Sequence, residues 1–423
     1  MADNLEKAGG SVFWKIVGAG GSFQAGSSAV DSATVIAVIV NHLTGNVYAV
    51  GLASTVLRLG WLLPQIIVGF LAQRVECRMP FYMIGAFGRA AILAVIAVML
   101  AVSEGSSGGW VAVCFLALWT LYAFVSGIVA VPYNDIVARS IPSGARSRML
   151  AWRFFGGGVL ALGVAAVVHH LLATESVFTA YALIFAMASS LMFLSSFLFV
   201  SVGEPATATK IKPQSPTQGF TQFLEGGLEV LRSDTRFRLF LYTQWLGGAT
   251  LMALPFYVVT ASSIGLGVRD VGILLGAQTV GSLASNVLWG FIGDRYGKLA
   301  LLRTIGVLRL GPPIGILAIV TVSVSLDPSG ILAAFAVLFV FVGALVNGMT
   351  IGYLGYLMEI SPNELRPAYS AYFNALASPA ALLPLLGAAL ADVISLMAVF
   401  IVALIAAALQ LTLFARLSRL ENV

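Results

Sequence analysis

Gly69-Phe-Leu-Ala-Gln-Arg74 and, 221 positions later, Gly290-Phe-Ile-Gly-Asp-Arg295 are two versions of one pattern. Other matches share the displacement. Ile141-Pro-Ser-Gly-Ala-Arg146 aligns with Ser361-Pro-Asn-Glu-Leu-Arg366 at 220, Gln24 with Gln244 at 220, and Gly51-Leu with Gly272-Ile at 221. Each match alone is weak, but a common offset marks a parallel duplication. The 423 residues therefore read as two related halves.

The copies lie between long apolar runs. Hydrophobic residues make up 59% of the chain and charged residues 10%, and the mean hydropathy is +0.96. A soluble chain carries about 25% charged residues to coat its surface. Runs of this length cross a hydrocarbon core of roughly 30 Å as helix. Twelve are expected, near 15–41, 47–72, 80–102, 110–136, 149–173, 177–201, 237–262, 270–292, 299–325, 329–357, 366–391 and 393–416. The fold class is thus an all-α membrane protein, with twelve transmembrane helices in two pseudo-symmetric six-helix bundles. The bundles are placed at 1–201 and 237–423. Between them, 202–236 reads as a Pro- and Lys-bearing linker ending in a short amphipathic helix on the membrane surface.

Charge placement sets the orientation. Of 23 Lys and Arg, 18 fall at the termini, in even-to-odd loops or at the span ends adjoining them; Arg58, Arg89, Arg153 and Arg309 are counted inside spans, leaving Arg269 for the other face. The positive-inside rule puts both termini in the cytoplasm, and a bacterial inner membrane is the expected location. Scattered basic residues without a K/R-rich run or zinc spacing exclude a nucleic-acid partner. The polar start, Met1 to Gly10, does not read as a cleavable signal. Gly297-Lys298 lacks the upstream glycine and hydroxyl residue of a phosphate-binding loop, so no nucleotide cofactor is expected. Cys77 and Cys114 are two isolated thiols, and His169-His170 have no carboxylate or thiol companions, so no metal is expected. No catalytic constellation is visible, and the chain does not read as an enzyme.

Gly290-Phe-Ile-Gly-Asp294-Arg295-Tyr-Gly297-Lys298 resembles the G-x-x-x-D-R-x-G-[RK] loop of the major facilitator superfamily. The first copy keeps the glycine and two basic residues, but has Gln73 in the aspartate position and lacks the second glycine. The resemblance implies a latch at the cytoplasmic helix ends, made by Asp294 and Arg295 with Gly290 allowing close packing; the alternative is a loop merely anchored at the lipid surface. The end of the fourth span, Val131-Pro-Tyr-Asn-Asp135, followed by Arg146, Arg148 and Arg153, resembles the glycoside–cation symporter branch. Asp135 and Arg146, with Glu359 and Arg366 in the second half, are read as gate residues, and Asp135 is expected to pair with Arg139 or Arg153. In such a family the third and ninth helices support the bundle, so Arg89 and Arg309 are read as internal braces.

Inside the membrane, helical phase organises the polar residues. Gly20, Gln24, Ser27, Asp31, Thr34 and Asn41 form one stripe, and Gly51, Thr55, Arg58, Gln65 and Gly69 another. Asp31 and Arg58 fall at similar depth. Charges there are costly and usually face the bundle interior. Asp31, beside Arg58, is read as the proton-coupling carboxylate, against the alternative of a static ion pair. The resemblance makes the first, fourth, seventh and tenth helices cavity walls. Candidate substrate contacts are then Gln24, Trp119, Tyr122, Gln244, Trp245, Asn347 and Tyr353, with Tyr372 and Asn374 from the eleventh. Aromatic walls with a few amides suit a small ring-bearing or amphipathic solute, although Trp and Tyr near span ends also mark interfaces. The resulting expectation is a secondary active transporter, monomeric in the lipid bilayer, moving a small organic solute with a proton or sodium as coupling ion. Alternatives are a sodium- or proton-coupled sugar symporter, and a transporter-like assembly factor or sensor.

Overall fold

The computed structural model describes residues 2–72, 77–104, 109–141, 143–204, 220–361 and 366–421. All regular structure in them is helical. In chain order the α-helices are α1 (Ala2–Ala29), α2 (Val35–Thr44), α3 (Val47–Ala72), α4 (Met79–Val102), α5 (Gly109–Gly127), α6 (Ala130–Ser140), α7 (Ser143–Thr174), α8 (Val177–Val200) and α9 (Phe220–Ser233). They continue with α10 (Thr235–Leu251), α11 (Leu254–Ser263), α12 (Val271–Arg295), α13 (Lys298–Leu308), α14 (Gly311–Val322), α15 (Pro328–Ile360), α16 (Arg366–Ala377), α17 (Leu383–Val393) and α18 (Leu396–Glu421). Among the described residues, 11 helical stretches are long and apolar enough to cross a membrane. Eleven of the expected spans coincide with them. The first, 15–41, is instead divided between α1 and the short apolar α2. The linker 205–219 lies outside the described residues; α9 occupies the place of the expected amphipathic helix and packs Val230 and Leu231 on the core.

Five expected spans are interrupted, and most breaks have a chemical cause. Proline has no N–H for the carbonyl four residues back. Pro132 follows the α5–α6 break, Pro255 the α10–α11 break, and Pro312-Pro313 the α13–α14 break. In the eleventh span, Pro379 leaves the Ala375 carbonyl unserved, and the Ser378 hydroxyl donates to it at 2.7 Å. Such hydroxyl rescue is how a membrane helix tolerates a break. The α1–α2 break contains no proline.

Two compact units result. One comprises Met1–Thr44, Val56–Gln214 and Val268–Gly276, the other Gly45–Thr55, Ser215–Gly267 and Ala277–Val423. In the first, α1 packs on α7 and α8, and α4 on α5 and α8. Its core holds Phe13, Ile16, Tyr82, Val129, Ile136, Met149 and Phe199. In the second, α10 packs on α18, and α13 on α15 and α18, around Phe237, Phe240, Trp289, Leu302, Tyr356, Phe373 and Phe414.

Candidate functional site

Four charged side chains meet at the basic-loop end of the first unit. Arg139 donates to Asp135 Oδ2, one turn back in α6, from Nε at 2.7 Å and Nη2 at 2.6 Å. Arg78 pairs with the same carboxylate. Arg139 Nη2 also reaches Glu204 Oε1 at 2.5 Å. Glu204 in turn accepts the backbone N–H groups of Arg78 and Met79, at 2.9 and 2.8 Å. Those groups open α4, where unserved N–H donors and the helix dipole favour an anion. Asp135 therefore does pair with Arg139, and its second partner is Arg78.

Burial pushes the Glu204 carboxyl up, but the hydrogen bonds from Arg139, Arg78 and Met79 outweigh it and hold the group below its ordinary value. A carboxylate depressed on folding stabilises the protein above its unfolded pKa of about 4.3, and that stability is lost as pH falls through the lower folded value. Glu204→Gln should thus melt below wild type at pH 7, and the gap should close in acid below that folded value. Melting curves from pH 3 to 8 that stay parallel would remove the charge-dependent part of this account.

Asp31 occupies the break between α1 and α2. Its Oδ1 accepts the backbone N–H groups of Ala33 and Thr34, both at 3.0 Å, and the Thr34 hydroxyl at 2.9 Å. The carboxylate thereby leads the chain into α2 as an Asx turn does. Arg58 is half-buried on α3. On α1, Gln24 faces Gly157: a Cβ on that glycine would lie 2.5 Å from Gln24 Oε1. Gly21 and Gly157 likewise face each other, so the Gly156–Gly158 run brings α7 close to α1.

The aromatic candidates are dispersed. Trp119 is fully buried and stacks on Tyr122 at 4.9 Å and beside Phe115. Tyr353 donates to the Thr243 carbonyl at 2.9 Å. Trp245 Nε1 donates to Leu376 O at 2.9 Å and ties α10 to α16. Asn347 Nδ2 donates to Ser282 O at 3.3 Å and Oγ at 2.5 Å, joining α15 to α12. Gln244 and Tyr372 are half-buried, and Asn374 and Glu359 are exposed. Arg295 is exposed and lies 5.8 Å from the rings of Phe291 and Tyr296. The side chains of Asp294, Arg146 and Arg366 lie outside those described. A Cβ on Gly290 would meet nothing within 4 Å, so close packing does not account for this glycine here. Gly297 has φ +85°, a backbone conformation that favours glycine, and it turns the chain into α13.

No protein-family model matches the chain. Proteins of Mycobacterium tuberculosis and Mycobacterium bovis, themselves described only as uncharacterized, are 24% identical over 297 residues. That match takes in 69% of this chain and 55% of theirs, so the chain spans about half the length of the curated relatives it matches. Solved structures are more informative. The nucleoside transporter NupG matches with TM-score 0.63 and 13% identity over 97% of this chain and 99% of that one. A D-xylose–proton symporter matches with TM-score 0.67 and 16% identity over 95% and 96%. An inward-facing bacterial homologue of the iron transporter ferroportin gives 0.67 and 12% over 98% and 99%. The fold is that of the major facilitator superfamily.

In this fold four glycines at the repeat offset bring helices together, and two of them, Gly60 and Gly281, are not among the residues singled out above. Gly60 and Gly281 are 221 positions apart, as are Gly51 and Gly272. A Cβ on Gly60 would lie 2.6 Å from the backbone of Ala123, and one on Gly281 1.9 Å from the Val340 carbonyl. Pro64 cannot serve the Gly60 carbonyl, and Gly127 packs against that oxygen. At the end opposite the basic loops, Gly51 packs on Pro384 and Ala388. Gly272 packs on His169, whose Nδ1 lies 3.0 Å from the Arg269 carbonyl. The repeat offset was the signal for all four glycines.

Proposed function

We infer that this protein is a secondary active transporter that carries a small organic solute by alternating access, coupled to protons. The observation that carries the reading is the end-to-end likeness to solved transporters of the major facilitator fold, among them a proton symporter and a nucleoside transporter. The broken first span supports it. A membrane helix interrupted at Asp31, with its counterpart in the second half interrupted at Met252-Ala253, is the arrangement from which transporters build binding sites near the bilayer midplane. Asp31, in concert with Arg58, is the proposed proton carrier. Opposing effects of burial and a neighbouring cation would let its protonation follow access to either side. The Arg78–Asp135–Arg139–Glu204 cluster, with Asp294, Arg295, Glu359 and Arg366, is the proposed set of gate residues at the cytoplasmic end.

The test is flux into proteoliposomes under an imposed pH gradient, with solutes supplied as a labelled panel. Wild type should concentrate at least one of them, and Asp31→Asn should equilibrate it without concentrating it. Full gradient-driven accumulation by Asp31→Asn would exclude this carboxylate as the carrier. Absence of flux for every solute, together with stable co-purification of another protein, would favour the assembly-factor alternative.

A further inference from the structure

Two guanidinium groups of the first unit have no acid beside them among the described residues: Arg89, well inside the span Met79–Val102, and Arg153, half-buried at the start of the span Trp152–Thr174. Arg89, on α4, is 2% exposed. Its Cζ sits 4.3 Å above the Phe23 ring, and its Nε is buried without a hydrogen-bond partner. Arg153, on α7, donates from Nη1 to the Tyr133 hydroxyl at 3.0 Å, while its own Nε is also buried and unpartnered. The Tyr133 ring that Arg153 serves lies 6.5 Å from that of Tyr82, which is on α4 with Arg89. Neither makes an ion pair with a carboxylate among the described residues. Asp135 and Glu204 are held by Arg78 and Arg139, and Glu104 by the Ser176 and Thr179 hydroxyls at the other end of the unit.

Buried cations persist when paired and hydrogen-bonded, and a lone one costs several kcal/mol. Phenols and a ring face offset part of that cost, but they leave two N–H donors and two positive charges unanswered. Gln24 adds to the deficit. It is one turn from Gly20, which packs on the Arg153 stem, and its Oε1 is buried without a partner. A carboxamide can present either its oxygen or its NH2 on turning over. The contrast with the second unit is instructive. Arg309, 220 positions after Arg89, donates from Nη1 to Gln410 Oε1 at 3.1 Å, although its Nη2 is likewise buried without a partner. Arg89 has no such amide.

We propose that Arg89 and Arg153, with Gln24, form the binding site for the anionic group of an organic solute, a carboxylate or a phosphate, among the rings of Phe23, Tyr82 and Tyr133. An anion supplies the missing acceptors for the unpartnered Nε donors and a counter-charge. The inference rests on the transport reading, whose substrate it narrows to organic anions.

The experiment uses the full chain in detergent, with benzoate, phenyl phosphate and inorganic phosphate as probes, and benzamide as the uncharged shape of benzoate. Thermal midpoints are read at constant ionic strength. At least one of the three anions should raise the midpoint in a saturable way, and benzamide should not. Arg89→Gln or Arg153→Gln should weaken the apparent affinity about thirtyfold, the loss of one charge-assisted hydrogen bond. Should either fail to fold, Gln24→Glu tests the same point: an internal carboxylate should raise the midpoint in the absence of ligand and abolish the response to anions. Equal responses to benzoate and benzamide, no response to any anion, or anion binding undiminished in Gln24→Glu would overturn the site. Failure of the wider reading looks different. In proteoliposomes, gradient-driven flux of a neutral solute unaffected by Arg153→Gln would sink the anion site and leave transport standing. Anion-specific stabilisation without flux of any solute would do the reverse.

Discussion

Gln410→Leu is expected to cost the second unit about 3 kcal/mol, the scale at which breaking a buried polar network is felt. Gln410 is fully buried on α18 and Arg309 2% exposed at the α13–α14 break. The amide oxygen accepts from Arg309 Nη1 at 3.1 Å. Its nitrogen donates at 2.8 Å to both the Thr243 carbonyl and the Tyr353 hydroxyl. One side chain thus joins α13, α18, α10 and α15. Leucine would fit the volume but strand a guanidinium that has no carboxylate among the described residues. Replacing both ends, Arg309→Met with Gln410→Leu, should recover most of the loss, because the stranded charge goes with its partner. Thermal or denaturant unfolding in detergent reads both. A single variant within about 0.5 kcal/mol of wild type, the range of an ordinary surface change, would show that the network is not a brace.

The spans were legible because a length of apolar chain is a property of composition, and eleven of them stand where the hydropathy places them. The breaks were only partly so. Pro132, Pro255, Pro312-Pro313 and Pro379 accompany theirs, but the first helix is interrupted at a point held by the Asp31 side chain, and a capping carboxylate looks the same in sequence as a coupling one. Glu204 escaped notice because its partners are remote: Arg139 is 65 positions away and Arg78 is 126. No local spacing reveals a pair of that kind. The aromatic residues taken for cavity walls show a different limit. Trp119 and Tyr122 fall on one helical face, and the structure stacks Trp119 on Tyr122 and on Phe115 of the same helix, which meets Phe185 edge-on. Helical phase says which residues turn inward together, but not whether they meet solute or each other.

Gly281→Val should have the largest effect of any single substitution considered, with little or no monodisperse protein recovered. A Cβ on Gly281 would lie 1.9 Å from the Val340 carbonyl oxygen, and one on Gly343 would lie 1.9 Å from that of Gln278. The crossing of α12 and α15 is therefore closed from both sides by backbone. Overpacking in a core of movable side chains costs about 1–3 kcal/mol. Here the obstacle is a carbonyl fixed in its own helix, so relief requires the helices to part along their length. Small residues let membrane helices meet by backbone approach, where no hydrophobic force between them compensates for lost packing. Gly290→Val is the matched control on the same helix, since nothing lies within 4 Å of its would-be side chain, and it should be recovered at near wild-type yield. Gly60→Val, at the repeat-related crossing of α3 and α5, should fail as Gly281→Val does. Size-exclusion profiles of the three variants at matched expression decide the matter. If Gly281→Val and Gly290→Val elute alike, backbone contact does not hold this crossing, and the offset that links Gly60 to Gly281 reflects ancestry alone.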